Sequence, residues 1–453
     1  MLVCLMVDFG STYTKVLAVD LDGETILGRA QAPTTIERDI TIGLNCALQE
    51  LSEVFDFKAE DIHRRFACSS AAGGLKIAAV GLVPDLTLKA AQRAALGAGA
   101  KILCAYGYDI SGEVVQEIEG YGCDIVLLCG GTDGGNKEVI LHNARKLAGS
   151  GIMCPVLVCG NRSATAEARA ILESGGKLVY TAKNVLPAID RVETGPAQEH
   201  IRNIFIEHIV KAKGLEDARR LMDRDIIPTP MASLQAAELL ADGTETEAGI
   251  GSLLLVEVGG ATTNIHSIEN VKAVTPQTLV RGLPEPRVSR TVEGDMGIRY
   301  NARTIFEYMG DESLDAYTRL VSGAPEHVSR DEEEAGFDTA LAKAAVGIAT
   351  ERHAGYLKNE FTAIGEVSIQ YGKNLLDVQN VIGTGGIFKY GREPGAVIGA
   401  ALFSENAPWS LRPRSPKAWL DCEYMMYAIG LMAQEYPDAA LRVAKKYLKR
   451  IDI

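Results

Sequence analysis

The sequence predicts an α/β protein of two lobes, with a doubly wound α/β domain inserted between their defining motifs. Three observations predict it. An apolar strand, Leu2 to Val7, runs into Asp8-Phe9-Gly10-Ser11-Thr12-Tyr13-Thr14-Lys15. A second, Leu253 to Val258, contains Glu257 and runs into Gly259-Gly260-Ala261-Thr262-Thr263-Asn264, and a third run ends in Ile382-Gly383-Thr384-Gly385-Gly386. Between the first two, strand-like and helix-like stretches alternate, which implies parallel strands joined by right-handed crossovers.

Residues 2–8 and 15–20 read as strands around the first glycine turn, Asp22-Gly23 as a tight turn and Thr25 to Ala32 as a third strand. Ile40 to Phe55 has helical spacing, with Ile40, Leu44, Ala47, Leu48 and Leu51 on one side. Arg65 to Cys68 is a short strand ending in Ser69-Ser70-Ala71-Ala72-Gly73-Gly74. Strands are expected at 101–106, 124–129, 155–159 and 177–180, and helices at 85–98, 111–119, 136–148 and 163–174. Pro187 and Gly195-Pro196 mark the exit from this insert, and Leu253 restarts strand structure after a mainly helical segment. Asp331-Glu332-Glu333-Glu334 reads as a solvated turn or helix N-terminus, and Leu341 to Tyr356 as a helix. The resulting boundaries are 1–80 for the first lobe, 81–190 for the insert, 191–250 for a helical connection, 251–405 for the second lobe and 406–453 for C-terminal helices.

The chain's 453 residues exceed one simple core. No apolar run approaches the roughly 20 residues that cross a bilayer, so no membrane association is expected. Met1-Leu2-Val3-Cys4 lacks a basic leader and reads as a core strand rather than a signal peptide, pointing to the cytoplasm. With 46 Lys+Arg against 59 Asp+Glu, a net charge of −13 and no basic stripe beyond Lys445-Lys446 and Lys449-Arg450, nucleic acid is not an expected partner. None of the nine cysteines forms a Cys-x-x-Cys pair, so neither zinc nor an ordinary redox motif is signalled. Cys104, Cys129 and Cys159 read as small buried hydrophobes.

The motifs carry phosphate chemistry. Glycine lets backbone N–H groups approach an anion closely. In the first loop Gly10, Ser11, Thr12 and Thr14 surround such an anion, Lys15 adds positive charge, and Asp8 at the strand end is placed to hold hydrated Mg²⁺. The second loop repeats this with Glu257 ahead of Gly259, Gly260, Ala261, Thr262 and Thr263. Two such loops facing each other would grip the phosphates of ATP, and phosphoryl transfer needs mostly positioning and electrostatic stabilisation. Gly383, Thr384, Gly385 and Gly386 would let a flat base lie on the backbone. Ser69-Ser70 with Gly73-Gly74 are candidates to line the same site. Gly130 to Gly135, at the carboxyl end of a parallel strand, is a candidate partner or ligand loop. Glu293 and Asp295 are candidates to orient metal-bound water, whereas His142, His266, His353 and Met425-Met426 read as structural.

This order of loops resembles the actin, Hsp70 and sugar-kinase ATPase superfamily, whose lobes are ribonuclease H-like. Val7 to Lys15, Val258 to Thr263 and Arg290-Thr291-Val292-Glu293-Gly294-Asp295-Met296-Gly297 closely resemble the glutamate mutase accessory protein family, labelled MutL or GlmL and unrelated to mismatch-repair MutL. Ala67 to Leu82, Cys129 to Gly135 and Val158 to Asn161 also fit, so the resemblance covers essentially the whole chain. It implies an ATPase-type chaperone, using ATP and Mg²⁺, that reactivates an adenosylcobalamin-dependent mutase by nucleotide-driven lobe motion that releases damaged cobalamin. Mutase subunits are the implied partners, and homo-oligomerisation stays open. Asp8 and Glu257 are the implied catalytic residues, with Mg²⁺ held through water. The second loop departs from the superfamily pattern, which more usually begins and ends with Asp where Glu257 and Asn264 stand. Slowed hydrolysis or altered metal geometry is the implied consequence. Two alternatives remain at this level: a small-molecule kinase, which needs a catalytic Asp not identifiable here, and a reductive activator, which needs a cluster-binding cysteine pair.

Overall fold

The structure is a computed structural model that describes residues 2–10, 13–35, 39–55, 59–70, 75–205, 207, 215–362 and 365–453. The readings at Ser11, Thr12, Gly73 and Gly74 fall outside the described residues.

Strands β1 (Val3–Phe9), β2 (Tyr13–Asp20) and β3 (Thr25–Pro33) form an antiparallel meander, and β4 (Ile62–Ser69) returns parallel to β1. The connection to β4 contains the Ile40–Val54 helix, whose cap Asp39 accepts the Thr41 N–H. Five strands follow: β5 (Lys76–Val80), β6 (Lys101–Tyr106), β7 (Ile125–Leu128), β8 (Val156–Val158) and β9 (Val179–Thr181). They pair in parallel in the order β6-β5-β7-β8-β9. The chain then rejoins the first sheet through β10 (Ile227–Pro228), parallel to β4. In the second lobe β11 (Leu253–Val258), β12 (Thr263–Ile268) and, after the short β13 (Leu279–Arg281), β14 (Val288–Glu293) form the antiparallel part. The hairpin β15 (Tyr356–Thr362) and β16 (Gly365–Tyr371) pairs with β13 in a separate small sheet. β17 (Asn380–Thr384) lies parallel to β11, β18 (Lys417–Leu420) parallel to β17, and β19 (Lys449–Ile451) adds an antiparallel edge. The two main sheets, β10-β4-β1-β2-β3 and β14-β12-β11-β17-β18-β19, therefore share one topology. In each, three antiparallel strands are followed by two parallel to the first. These are the ribonuclease H-like lobes of an actin/Hsp70-like architecture, with the doubly wound insert between β4 and β10.

Side-chain alternation explains how the layers meet. On β1, Val3, Leu5, Val7 and Phe9 point into one core and Cys4 and Met6 into another. On β11, Leu253 and Leu255 join Cys4 and Met6, whereas Leu254, Val256 and Val258 face the outer core of the second lobe. The shared central core is built around the helices Thr229–Asp242 and Met426–Met432. They cross closely, because a Cβ at Gly430 would lie 1.8 Å from the Ala232 carbonyl oxygen. The insert is covered on both faces. Val80, Val126, Leu128 and Val158 pack under helices Gly112–Tyr121, Glu138–Ala148 and Arg162–Ser174. Ile77, Ile125 and Leu157 instead share a core with β1 and with helices Lys89–Gly97 and Gly195–Ile204.

Four strands lie outside the segments that texture alone assigned to sheets. β5 precedes residue 81, β10 sits in the helical connection, and β18 and β19 sit among the C-terminal helices. The last three are two to four residues long. Their pairing partners are remote in sequence, so no local periodicity marks them. Among the described residues no helix is long and apolar enough to cross a membrane.

The Gly430 contact gives a stability test. Gly430→Ala drives a methyl into a backbone carbonyl and is expected to cost about 1–3 kcal/mol. Gly336→Ala, in the Glu332–His353 helix with nothing within 4 Å of the new Cβ, is expected to stabilise by about 0.5–1 kcal/mol. Urea unfolding of both variants checks the pair; equal effects would refute the close crossing.

Candidate functional site

The alternation that sends Cys4 and Met6 inward also aims Asp8 inward, and the one that sends Leu253 and Leu255 inward aims Glu257 inward. Both carboxylates end central strands and both meet the Thr229–Asp242 helix. Thr229 Oγ1 donates to Asp8 Oδ1 at 2.7 Å, and Ser233 Oγ, one turn later, donates to Glu257 Oε1 at 3.3 Å. Side chains four apart share a helix face, so one helix locates both groups.

The two hairpins are built alike. Asp8 lies opposite Lys15 across β1–β2, and Glu257 opposite Asn264 across β11–β12. Gly10 N donates to Tyr13 O at 3.1 Å, and Gly259 N to Thr262 O at 2.9 Å. Lys15 Nζ donates to Asp8 Oδ2 at 3.0 Å and to the Tyr424 hydroxyl at 3.3 Å, and sits 4.4 Å from the Tyr424 ring centroid. Burial opposes the Lys15 charge, but Tyr424 and Asp8 outweigh it and hold its pKa above the ordinary lysine range. Burial pushes the Tyr424 phenol up to about 12, so it stays neutral. Tyr424 has φ +55°, a left-handed backbone held beside Asp421, whose Oδ2 accepts the Met425 and Met426 N–H groups.

Asn264 Nδ2 donates to Glu257 Oε2 at 3.0 Å, occupying the place that Lys15 holds in the first hairpin. His266 Nε2 stands 3.6 Å from the same oxygen, an ion-pair separation rather than a hydrogen bond. Burial favours the neutral acid, but His266, Asn264 and Arg290 together keep the Glu257 carboxyl below its usual range. The departures at 257 and 264 thus form a matched pair: the amide supplies a donor where a second carboxylate would repel. Residues 298–300 occupy the loop carbonyls, with Ile298 N on Gly259 O and Arg299 N and Tyr300 N on Gly260 O. The N–H groups of Gly260 and Ala261 find no partner among the described residues, leaving two donors for an anion.

These groups line one 940 Å³ cavity between the lobes. Asp8, Gly10, Lys15, Glu257, Gly259, Gly260, Ala261, Thr262 and Gly386 reach it, and so do Thr229, Arg299, Lys389, Tyr390, Arg392 and Tyr424. Several expected site residues do not. Thr14 is buried and its hydroxyl pairs with Thr34 at 3.1 Å, because it points to the opposite face of β2 from Lys15. The Thr263 hydroxyl is spent on Met296 O at 2.6 Å, and that of Thr384 on Asp421 at 2.8 Å. Gly383 packs on Phe388, and Gly385, at φ +113°, passes so close to β11 that a Cβ would lie 2.2 Å from Val258 O. In the third motif only Gly386 faces the cavity, and the others support it. Glu293 and Asp295 are both held by Arg352, at 2.6 and 3.1 Å, and do not line the cavity. Ser69 and Ser70 do. The Gly130–Gly135 loop lies elsewhere, stitched by Asn161 and Asn184, and Asp133 accepts the Arg162 N–H and the Asn184 amide. Asp133 is therefore a structural anchor rather than a free surface charge.

Thr229, Ser233, Tyr424 and Lys389 were not singled out from the sequence. Pro228-Thr229-Pro230 after an Ile-Ile run is the one local signal, a proline-marked helix start. For Mg²⁺, the donor set fits a hydrated ion. Two strand-end carboxylates already accept protein hydrogen bonds, and no group of three or more His, Cys, Asp or Glu side chains suited to a metal exists among the described residues. Mg²⁺ characteristically keeps waters and binds through one or two carboxylates plus substrate phosphates.

Comparison with known proteins adds the following. The family described as MutL protein matches residues 4–448. Protein MutL from Clostridium tetanomorphum is 43% identical over 458 residues, covering 99% of this chain and 99% of that one. Among solved structures, diol dehydratase-reactivating factor in nucleotide-free form is 11% identical with a TM-score of 0.39, covering 96% of this chain and 99% of the other. The activator of 2-hydroxyisocaproyl-CoA dehydratase from Clostridium difficile with bound ADPNP is 11% identical with a TM-score of 0.34, covering 100% of both chains. These two structural likenesses are too distant to bear on function.

The buried histidines under the site predict a pH response. Burial holds His266 below its ordinary range against the pull of Glu257. Burial, with Lys373 and His266 nearby, holds His353 well below it. His353 is fixed neutral between Thr291 Oγ1 at 2.7 Å and Ser267 Oγ at 2.8 Å. Folded-state pKa values below the unfolded ones mean the unfolded chain binds more protons. Stability is then full above the unfolded histidine pKa of about 6.5 and falls as pH drops below it, with a slope approaching about 1.4 kcal/mol per pH unit for each such group. Urea midpoints between about pH 7.5 and 5.5 are expected to fall, and less steeply for His353→Gln. An identical slope in the variant would remove His353 from this role.

Proposed function

The chain belongs to the MutL protein family, and on that premise we propose that it is an ATP-dependent reactivating chaperone for an adenosylcobalamin-dependent mutase of the glutamate mutase type. The observation that carries the reading is the pair of like-built hairpins whose carboxylates, Asp8 and Glu257, are tied to one helix at the floor of one cleft. A nucleoside would lie against Gly386, Lys389, Tyr390 and Arg392, with its phosphates between Gly10 and Gly260-Ala261. The free N–H groups of the second loop and the Lys15 charge would meet phosphate oxygens. Glu257, anionic and anchored by Asn264, would orient the attacking water. Mg²⁺, held through water by Asp8 and Glu257, would supply neutralisation of the charge that develops on the transferred group.

Coupling to a partner follows from the central core. Both sheets pack on the same two crossing helices, so a ligand that bridges the hairpins favours a closed arrangement over an open one. A partner that binds the two arrangements differently is then driven by nucleotide state. The insert shares its core with the first lobe and would move with it. It also meets the second lobe through Arg93 and Glu285 at 2.7 Å, a contact that opening would break. In this reading the insert is the arm that engages mutase subunits, and opening releases damaged cobalamin. In this reading the protein works in the cytoplasm.

Calorimetry with MgATP and MgADP is expected to show saturable binding. Glu257→Gln keeps size and the Asn264 contact, so nucleotide affinity is expected to stay within about 3-fold while hydrolysis falls about 100-fold. Asp8→Asn is the cleaner variant at the other carboxylate, since Asp8→Ala would also leave a largely buried Lys15 unpaired. Wild-type hydrolysis in Glu257→Gln would remove Glu257 as the water-positioning group. The partner reading is checked by adding protein and MgATP to a cyanocobalamin-blocked glutamate mutase, then supplying fresh coenzyme. Activity is expected to return only with hydrolysable nucleotide, and no recovery over the nucleotide-free control would sink the chaperone role.

A further inference from the structure

Cys123 and Cys154 are 31 residues apart in sequence and meet in the insert. Neighbouring strands bring them together. Cys123 stands just before β7 and Cys154 just before β8, and these strands pair in parallel with Val126 opposite Val156. Both entry loops are held in place. Val126 N donates to Pro155 O at 3.0 Å, and Asp124 N to Lys76 O at 2.8 Å. Glu119 Oε1 accepts the Gly151 N–H at 2.6 Å, and the Lys177 ammonium donates to Ser150 O at 2.6 Å and to Ile152 O at 2.8 Å. The thiols face each other with Sγ to Sγ at 3.6 Å, a thiol–thiol hydrogen bond. Both are free and partly exposed, at the margin of the insert's outer core. Met153, next to Cys154, is 91% exposed, so solvent reaches this edge.

The pair is asymmetric. The Cys154 S–H donates to Cys123 and holds its thiol below the ordinary cysteine range, against burial and the Asp124 charge. The same bond, with burial, pushes Cys154 up, so Cys154 keeps the proton. Burial pushes Cys4, Cys68, Cys129 and Cys159 up, which leaves those thiols inert. Cys104, nearer the pair, is pushed up to about 12 by burial and by Cys123. A thiolate is the nucleophile of cysteine oxidation, and a second thiol within reach resolves the product. A disulfide needs about 2 Å between its sulfurs, so roughly 1.5 Å of side-chain motion closes this contact without moving the strands. In a reducing compartment such pairs serve transient, redox-sensing bridges rather than permanent ones.

We propose that Cys123 and Cys154 form a reversible oxidation site, which a peroxide-class oxidant converts to a disulfide and a small thiol restores. The Cys123 sulfur attacks the peroxide O–O bond. An S–O bond forms, and the departing hydroxide takes up the proton that Cys123 gave up and leaves as water. The Cys154 sulfur then attacks the sulfenic sulfur. The S–S bond forms, the S–O bond breaks, and hydroxide leaves with the Cys154 proton as a second water. The sulfurs together lose the two electrons that the peroxide gains, and a thiol reductant returns them through a mixed disulfide. The bridge staples the entry loops of β7 and β8 and so fixes the edge that carries Met153. Neither cysteine lines the cleft between the lobes, so the site stands apart from the ATPase reading.

The test treats reduced full-length protein with hydrogen peroxide, alkylates the remaining thiols and maps the peptides without reduction. A peptide linking Cys123 to Cys154 is expected, with loss of free thiol at both positions that dithiothreitol restores. The urea midpoint is expected to rise on oxidation, because the bridge constrains the unfolded chain. Cys154→Ser is expected to abolish the linked peptide and the midpoint rise, and to let Cys123 advance to sulfinic acid. Should that variant fail to fold, the wild-type map decides on its own. The proposal is overturned if both thiols stay free at about 1 mM peroxide, if wild-type Cys123 reaches sulfinic acid without a bridge, or if the bridge joins Cys104 to Cys123.

Discussion

The structure depends on one helix that holds two carboxylates. Thr229 and Ser233, one turn apart, reach Asp8 of the first lobe and Glu257 of the second. Everything that makes a site of this cleft follows from that bond pair. The hairpins that follow the two acids are placed symmetrically because the acids are, and the sheets behind them are locked in register by the apolar residues that precede the acids on each strand. The crossing with the second central helix, tight enough to exclude a Cβ at Gly430, keeps the first helix from shifting along its axis.

The two halves share geometry but differ in charge. In the first, a lysine ammonium pairs with the aspartate and rests against the Tyr424 ring. In the second, an asparagine satisfies the glutamate without neutralising it, and the positive charge stands deeper, on the buried Arg290. The first carboxylate is held in an ion pair with Lys15, and breaking a buried pair costs about 3–5 kcal/mol. The second keeps its negative charge exposed to whatever enters the cleft.

The insert is wound into the first lobe rather than appended to it. Its sheet lends one face to the core that β1 builds. Under the proposed function, motion between insert and second lobe would be the same motion as closure of the cleft. The Arg93–Glu285 contact and the Arg290–Ala100 bond lie on that shared boundary.

The sequence by itself determined the motifs and their order. Carboxylate, glycine turn and hydroxyl residues are contiguous, so local spacing reveals Asp8 with Gly10 and Glu257 with Gly259 and Gly260. Alternation of strand and helix likewise revealed the insert, because each element carries its own periodicity. Tertiary structure alone decided which members of each motif face the cleft. Thr14 and Thr263 have the right chemistry but stand on the wrong side of their strands, and Gly383 to Gly385 are consumed by packing against Phe388, Asp421 and β11. It also supplied Thr229, Ser233, Tyr424 and Arg290, which come from segments scattered over some two hundred residues of chain, from 229 to 424. No spacing rule links them, since they converge only when two remote sheets pack on one pair of helices. The short strands β10, β18 and β19 were illegible for the same reason: their stability comes from neighbours on the sheet, not from their own residues.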